Sequence, residues 1–419
     1  MAGVHILGEH LARRLTLLVV VLLAASNGAA NGGWVIDRDD RGDSPLLKDR
    51  KSIAMTEQEQ QQRLASAYKA AVGAEYRNIR QHWSAPETSN QTRWVAYSDD
   101  YQVKKVVDFK SNQIEISMEG VFSGGRLDFA AMNKKVGSEL EKTVATRLKD
   151  AIENDPVQTA INQVYADLGA ASGAAQLETS ELVLKELFRS ANPSAAEIRR
   201  EAGALMRNAS IRYQALNASV ASVPVSLGKK MTYVIPMPDN RIRRKVMEFQ
   251  PVVRSNAKRF DLSEDVVMAI IHTESHFNPL ARSHVPAFGL MQIVPSTAGR
   301  DATRELYQKP SLLSAQYLYN PKKNIEVGAA YLHVLYYDYL KSIKNPQSRL
   351  YYTIAAYNAG ASNVAKAFIG KASFTDAVEV VNGMTPDQVL QRLLKQAPHK
   401  ETRQYLEKVL KRRAYYAKM

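Results

Sequence analysis

The sequence predicts an α+β N-terminal domain followed by an all-α C-terminal domain, and three observations carry that prediction. Short apolar runs at Trp94–Ser98, Tyr101–Phe109 and Ile114–Met118 are separated by polar residues, and Ile114, Ile116 and Met118 alternate with Glu115 and Ser117. That is the period of an antiparallel meander with one wet face. Met132, Val136, Leu140, Val144, Leu148 and Ile152 then recur every four residues up to Asp155-Pro156, marking one long amphipathic helix able to cover the sheet. From Asn240 onward strand signals nearly vanish and helix alternates with turn.

Taken in order, Arg13 and Arg14 precede the apolar run Leu15–Ala25, and small residues follow from Ser26 to Ala30. This is the layout of a secretory signal over residues 1–30, cleaved after Ser26 or Ala30. The run is about half the length that spans a bilayer comfortably, so cleavage is favoured over its alternative, an uncleaved inner-membrane anchor. A polar, Asp/Arg-rich connector covers 31–50. An N-terminal domain over 51–238 opens with the capping box Thr56-x-x-Glu59, starting a helix to about His82. The meander and the long helix follow, then helical segments at Leu182–Phe188 and Ala195–Leu216. Tyr233–Met237 reads as an edge strand or an extended crossover, and the boundary falls near Pro238-Asp239.

The second domain, 239–419, starts a helix at Asn320-Pro321 that runs through Tyr339, with proline at the first helical position. Another spans Arg349–Ala359 and stops at Gly360. Two more run over Pro386–Gln396 and Lys400–Ala417.

Composition narrows the function. With 419 residues the chain holds two or three domains, and 45% hydrophobic with 23% charged residues is ordinary for globular protein. Lys plus Arg outnumber Asp plus Glu by 56 to 42, for a net charge of +14. Such a balance favours an anionic polymer or surface, and the export signal points to an acidic cell-wall polymer, not nucleic acid. Cysteine is absent. That removes disulfides, a thiol nucleophile and lipid attachment at an N-terminal cysteine.

Glu274 is the residue with the most chemistry in it. Counting back three, four and seven positions gives Ile271, Ile270 and Val267, so the carboxyl lies on an apolar helical stripe. Burial there disfavours the charged form and holds a proton, which is what a general acid needs. A Glu with pKa about 4.3 is protonated about 0.2% of the time at pH 7, whereas one raised to about 6 is protonated nearly 10% of the time. The competing reading is a helix-end Glu that turns to solvent or pairs with a base.

The segments that follow weigh against that competitor. They are Glu274-Ser275-His276-Phe277-Asn278-Pro279, Ser283, Gly289-Leu290-Met291-Gln292, Asn320-Pro321 with Asn324-Ile325 and Gly328, Ala356-Tyr357-Asn358-Ala359-Gly360, and Glu401-Thr402-Arg403 with Tyr405. In this order and spacing they resemble the lytic transglycosylase family, whose catalytic domain is helical and similar to goose-type lysozyme. The N-terminal region and the Pro286–Pro295 segment are most similar to the membrane-bound C type of that family. The resemblance implies an all-α lysozyme-like catalytic domain that cleaves the β-1,4 bond between N-acetylmuramic acid and N-acetylglucosamine in peptidoglycan, leaving 1,6-anhydromuramic acid ends. It also implies that Glu274 first donates a proton and later reclaims one.

Glycosidases ordinarily use two carboxyl groups, yet no acidic residue lies between Glu274 and Gly299. A single-acid scheme finds its anionic helper in the substrate, in the 2-acetamido oxygen. Asp301 and Glu326 are alternatives that the fold would have to bring in. The resemblance further implies substrate-binding roles for Ser275, Ser283, Gln292, Tyr357, Asn358, Glu401 and Tyr405. Each has a plainer competitor: loop capping for Ser283 and Gln292, helix capping for Ser275, core packing for Tyr357, salt bridging around Glu401, Arg403 and Tyr405. Gly289 and Gly360 read as backbone devices, and Leu290, Met291 and Ile325 as packing.

His272, His276 and His284 flank the site, with His272 and His276 on one helical face, but no further ligand pattern accompanies them. The expectation is an enzyme without metal or cofactor. Its expected partners are peptidoglycan glycan strands, with cell-wall synthesis or division proteins as candidates and no nucleic acid. The expected location is the periplasm. Family members of this type are usually outer-membrane lipoproteins, and the missing cysteine leaves membrane association open. Two rivals stand: a goose-type muramidase that uses water, and a catalytically dead wall-binding scaffold.

Overall fold

A computed structural model describes residues 56–124, 126–170, 181–213 and 230–419. The expected signal segment and connector lie outside the described residues. Residues 61–331 together with 412–419 make one compact unit, and 332–411 belong to another. Among the described residues no helix is long and apolar enough to cross a membrane.

Helix α1 (Glu57–Arg80) opens with the expected capping box. The Thr56 N–H donates to Glu59 Oε2 at 2.7 Å, and the Glu59 N–H donates to Thr56 Oγ1 at 3.2 Å. The meander forms β1 (Arg93–Tyr97), β2 (Lys104–Asp108) and β3 (Gln113–Glu119), followed by a short hairpin, β4 (Phe122–Ser123) and β5 (Arg126–Leu127). With β6 (Ser210–Tyr213) and β7 (Lys230–Pro236), the first three strands build one antiparallel sheet in the order β1-β2-β3-β7-β6.

Two expectations about this sheet are corrected. The segment read as an edge strand or crossover is an inner strand: β7 lies between β3 and β6, pairing Ile114 with Ile235, Ile116 with Tyr233 and Met118 with Met231. These pairs put one continuous apolar face across the two strands. Only the last position, Pro236, lacks an N–H, at the strand end where the loss is tolerated. The expected wet face is also covered. Glu115 and Ser117 are buried, the first bonded by Gln113 Nε2 at 2.7 Å and paired with Arg93 at 3.4 Å, the second bonded to Thr232 Oγ1 at 2.8 Å. Buried polar groups are tolerated because they are paired.

Helix α2 (Phe129–Val144) packs on β3 and buries the expected stripe of Met132, Val136, Leu140 and Val144. The stripe continues to Ile152, but the helix does not. It ends at Ala145, and α3 (Leu148–Glu153) and α4 (Pro156–Asp167) follow. At the break, the Thr146 carbonyl accepts the Val183 N–H at 3.0 Å and the Leu148 N–H donates to Glu181 O at 2.9 Å. The backbone pairing that replaces helix comes from the 181–183 segment. That segment, expected to be helical to Phe188, contains only a single 3-10 turn, Lys185–Leu187. Helix α5 (Ala195–Met206) is also shorter than expected, giving way to β6, while residues 214–216 lie outside the described residues.

The helical region then begins with α6 (Arg241–Arg259), α7 (Glu264–Ser275), α8 (Ala298–Tyr307), α9 (Ala315–Leu318) and α10 (Pro321–His333). Helix α10 starts at the expected Asn320-Pro321 and continues to Tyr339 as a wider π turn. The 332–411 unit holds α11 (Pro346–Ala359), α12 (Ala361–Ile369), α13 (Phe374–Asn382), α14 (Pro386–Gln396) and the start of α15 (Lys400–Tyr416). Gly360, at φ +79°, separates α11 from α12 as the sequence implies. Tyr352 stacks on Phe368 in the core of this unit, and its hydroxyl donates to the Ala361 carbonyl at 2.9 Å.

Candidate active site

Helix α7 carries Glu264 and Asp265 in its first turn, where negative charge suits the helix dipole, and buries every residue from Val266 to Ile271. Its far end delivers Glu274, 9% exposed, on the apolar stripe that the sequence places there. The helix then stops abruptly. His276 and Phe277 both adopt left-handed backbone conformations, with φ of +49° and +63°, which non-glycine residues enter only against a steric cost.

Surrounding contacts hold that strained end. Ser275 is fully buried, its Oγ donating to the Ile271 carbonyl at 3.0 Å and accepting the Phe277 N–H at 3.2 Å. The hydroxyl assigned to substrate by family resemblance is therefore engaged in capping its own helix. Phe277 stacks on Phe249 with ring centroids 6.3 Å apart. Arg412 Nη2 lies 3.1 Å from His276 Nε2, and the Tyr416 hydroxyl lies 2.8 Å from His272 Nδ1. Burial and the nearby Arg412 hold both imidazoles far below their usual range, at about 3. Both rings are thus neutral near neutral pH, so Arg412 donates to His276 and the phenol, pushed up by burial, donates to His272.

The chain from Asn278 to Ile293 forms the second element of the site. Ser283 lies here, half-buried, with its hydroxyl close against the Val285 carbonyl, so it braces its own loop. Gly289 sits at φ +76°, and a Cβ there would collide with the Leu318 carbonyl and the Asn324 side chain. Gln292, at φ +50° and 8% exposed, donates through Nε2 to Gly289 O at 2.9 Å. Its Oε1 is buried and no described residue donates to it. An unpaired buried acceptor costs about 1–3 kcal/mol, which a donor from a bound molecule would offset.

Asn324 was not singled out for a role by its position in the sequence, yet it organises this loop. Fully buried in the first turn of α10, it accepts the Met291 N–H at 2.7 Å and donates to the Phe288 and Leu318 carbonyls, each at 2.8 Å. A signal existed in the Asn320-Pro321 helix start, which turns Asn324 inward one turn later. Gly328 follows on the same helix, and a side chain there would strike the Met291 thioether.

The other four expected site residues belong to the 332–411 unit. Tyr357 and Asn358 are half-buried in the last turn of α11, and Asn358 Oδ1 accepts the Thr402 hydroxyl at 2.9 Å. Glu401 is exposed at the start of α15, and Tyr405 is buried one turn on.

A cavity of about 530 Å³ lies elsewhere in the first unit, walled by Glu75, Trp94, Tyr97, Glu139, Asp155 and Arg282 among others. Neither Glu274 nor Gln292 lines it. Its principal charges already match: Arg282 with Asp155 at 2.8 Å, and Lys105 and Lys142 with Glu139 at 3.5 and 2.7 Å. Volume alone does not make a reaction site, and none of the candidate site residues lines this cavity.

Residues 251–378 match the family model described as the transglycosylase SLT domain. Membrane-bound lytic murein transglycosylase C of Serratia proteamaculans is 41% identical over 177 residues, which is 42% of this chain and 48% of that protein. The match thus spans about half the length of that relative. The protein of the same name from Pectobacterium atrosepticum is 29% identical over 348 residues, 82% of this chain and 88% of that protein. A solved structure, the 70 kDa soluble lytic transglycosylase of Escherichia coli, matches 40% of this chain and 24% of its own at 28% identity, with a TM-score of 0.31. Residues 251–378, which carry Glu274, Gln292 and Asn358, therefore match the transglycosylase SLT domain model, within a chain similar over most of its length to membrane-bound lytic murein transglycosylase C.

Proposed function

We propose that the protein is a peptidoglycan lytic transglycosylase acting in cell-wall turnover, and the observation that carries this reading is the buried carboxyl of Glu274 at a rigidly held helix end inside the SLT domain. Glu274 in its acid form protonates the oxygen of the β-1,4 bond between N-acetylmuramic acid and N-acetylglucosamine. As C1 separates from the leaving oxygen, the 2-acetamido oxygen of the same sugar stabilises the positive charge. The C6 hydroxyl then attacks C1, and the Glu274 carboxylate takes its proton. One C–O bond breaks, one forms, and no water is consumed.

Gln292 fits a role in holding the sugar through its buried Oε1, a contact that orients the substrate against the acid. Tyr357, Asn358, Glu401 and Tyr405 are proposed as further substrate-binding residues on family resemblance. Domains over 51–238 and 239–419, a cleaved leader over 1–30 and a periplasmic location complete the reading. The basic balance of the chain suits an anionic wall polymer.

Digestion of purified sacculi with the wild type and with Glu274→Gln tests this proposal, with product ends identified by mass. Anhydro ends, one water lighter than reducing ends, are expected from the wild type alone. Reducing ends would make the protein a muramidase, and equal inactivity of both forms would make it a wall-binding scaffold.

A further inference from the structure

We propose that Arg282 is a positioning residue for the loop that presents Gln292, and that it acts by tying this loop to the N-terminal α+β region. The inference rests on the proposed reading of the site and assigns a task to residues that lie before the SLT domain. Arg282 is 2% exposed and is held by several groups outside its own segment, the Tyr68 and Tyr319 side chains among them. Its Nη1 meets Asp155 at 2.8 Å, its Nε donates to Ser89 O at 3.4 Å, and its backbone N–H donates to Asn90 O at 3.4 Å. Asn278, at the start of the same loop, donates through Nδ2 to Asn90 O and Gln91 O at 3.4 and 3.2 Å.

The anchor itself is rigid. Asp155 caps α4, accepting the Gln158 N–H at 3.0 Å, and the Gln158 side-chain oxygen in turn accepts the Tyr319 hydroxyl at 2.9 Å. One carboxylate therefore fixes both a helix start and the Arg282 fork. From Arg282 the connection to the site runs through backbone. Arg282 bridges Phe288, Phe288 bridges Ile293 in both directions at 3.0 and 3.1 Å, and Ile293 adjoins Gln292. A shift of Arg282 is passed to Gln292 through two short bridges.

Energetics favour positioning over simple stabilisation as the reason for this pair. A buried ion pair recovers its desolvation penalty only partly, so an apolar pair of the same size would serve stability as well. What the apolar pair would lack is direction. The planar guanidinium accepts only one arrangement of its partners, and that arrangement fixes the loop. This gives the N-terminal region a task in catalysis without any contact to the reacting atoms.

A double-mutant cycle tests the proposal, using Arg282→Lys, Gln292→Ala and both together, with kcat/KM on peptidoglycan and the thermal midpoint measured for each. Arg282→Lys is expected to lose about tenfold or more in kcat/KM in the folded protein, since misplacement of about 1 Å is enough to do so. In the Gln292→Ala background the same substitution is expected to cost less than about twofold, because the group it misplaces is gone. Equal losses in both backgrounds, or no loss in either, would overturn the inference. Asp155→Asn, which keeps an oxygen for the helix cap and removes the charge, provides the same comparison if the lysine variant does not fold. Failure of the enzymatic reading is read separately, from the absence of anhydro ends in the wild-type digest.

Discussion

The Asn324 side chain accepts the Met291 N–H at 2.7 Å, and this one bond joins the first turn of α10 to the loop that ends at Gln292. The same amide donates to two further carbonyls, so its orientation is determined by three partners. Asn324→Ala is expected to remove the side-chain acceptor of the Met291 N–H and one donor each from the Phe288 and Leu318 carbonyls, the first of which keeps the Ile293 N–H. With about 1–3 kcal/mol per buried orphan, softened by relaxation, the loss of folding stability should be about 2–4 kcal/mol. Denaturant unfolding checks this, and a loss below about 0.5 kcal/mol, typical of neutral surface changes, would contradict it. Asn324→Asp should be worse, because it sets carboxylate oxygen against the Phe288 and Leu318 carbonyls.

Glu274→Gln separates chemistry from folding. General acid–base catalysis contributes about 10²–10⁴-fold, so the rate of sacculus solubilisation should fall by at least about a hundredfold. The variant should still fold, since Gln matches Glu in size and keeps two polar atoms for hydrogen bonding. Turnover close to that of the wild type would remove Glu274 from its role.

Gly289 and Gly328 both sit where a methyl group has no room, but their neighbours differ. At Gly289 the obstacle includes the Leu318 carbonyl, and the left-handed φ adds strain, so Gly289→Ala should destabilise by about 2 kcal/mol or more. At Gly328 the obstacle is the Met291 thioether, a flexible side chain. Gly328→Ala should be the milder change, and Met291→Ala in the same chain should relieve part of it. Equal effects in the two unfolding curves would sink this comparison.

Stability should fall as pH drops from about 6.5 toward 3. His272 and His276 have folded-state values near 3 against an ordinary 6.5, so in that window the unfolded chain binds protons that the folded chain does not. The stability from their neutral burial is fully present above 6.5 and is lost as pH falls through the window. Each histidine adds a slope of at most about 1.4 kcal/mol per pH unit. Replacing His272 with Asn should flatten the profile between pH 4 and 6, and an unchanged slope would show that carboxylates elsewhere dominate acid unfolding.

Local elements were readable because their causes are local. The Thr56-Glu59 capping box, the Asn320-Pro321 helix start and the Gly360 stop depend on residues a few positions apart, and each appears where the sequence puts it. The four-residue stripe from Met132 marks one buried face, but the helix that carries it ends at Ala145. The face follows from spacing, whereas the break at 145–147 follows from backbone pairing with residues more than thirty positions away.

The same distinction holds at the site. The apolar stripe around Glu274 was visible as a count along one helix, and so was the order of polar segments that follows it. Family resemblance offers Ser275 and Ser283 as substrate-binding residues, and the tertiary structure adds the local partner of each hydroxyl: one caps α7 and the other braces its loop.

By itself the sequence determined the two-part fold class, the helical face that carries Glu274, and the motif order that relates 251–378 to the SLT domain family. Only the tertiary structure decided that β7 is an inner strand, that Glu115 is covered, that Asn324 ties down Met291, and that Arg282 reaches Asp155. Periodicity reports which side of an element is apolar, because that depends on a few neighbouring residues. Which distant group satisfies a buried amide or guanidinium depends on where the whole backbone brings its carbonyls and carboxylates, and no local pattern encodes that.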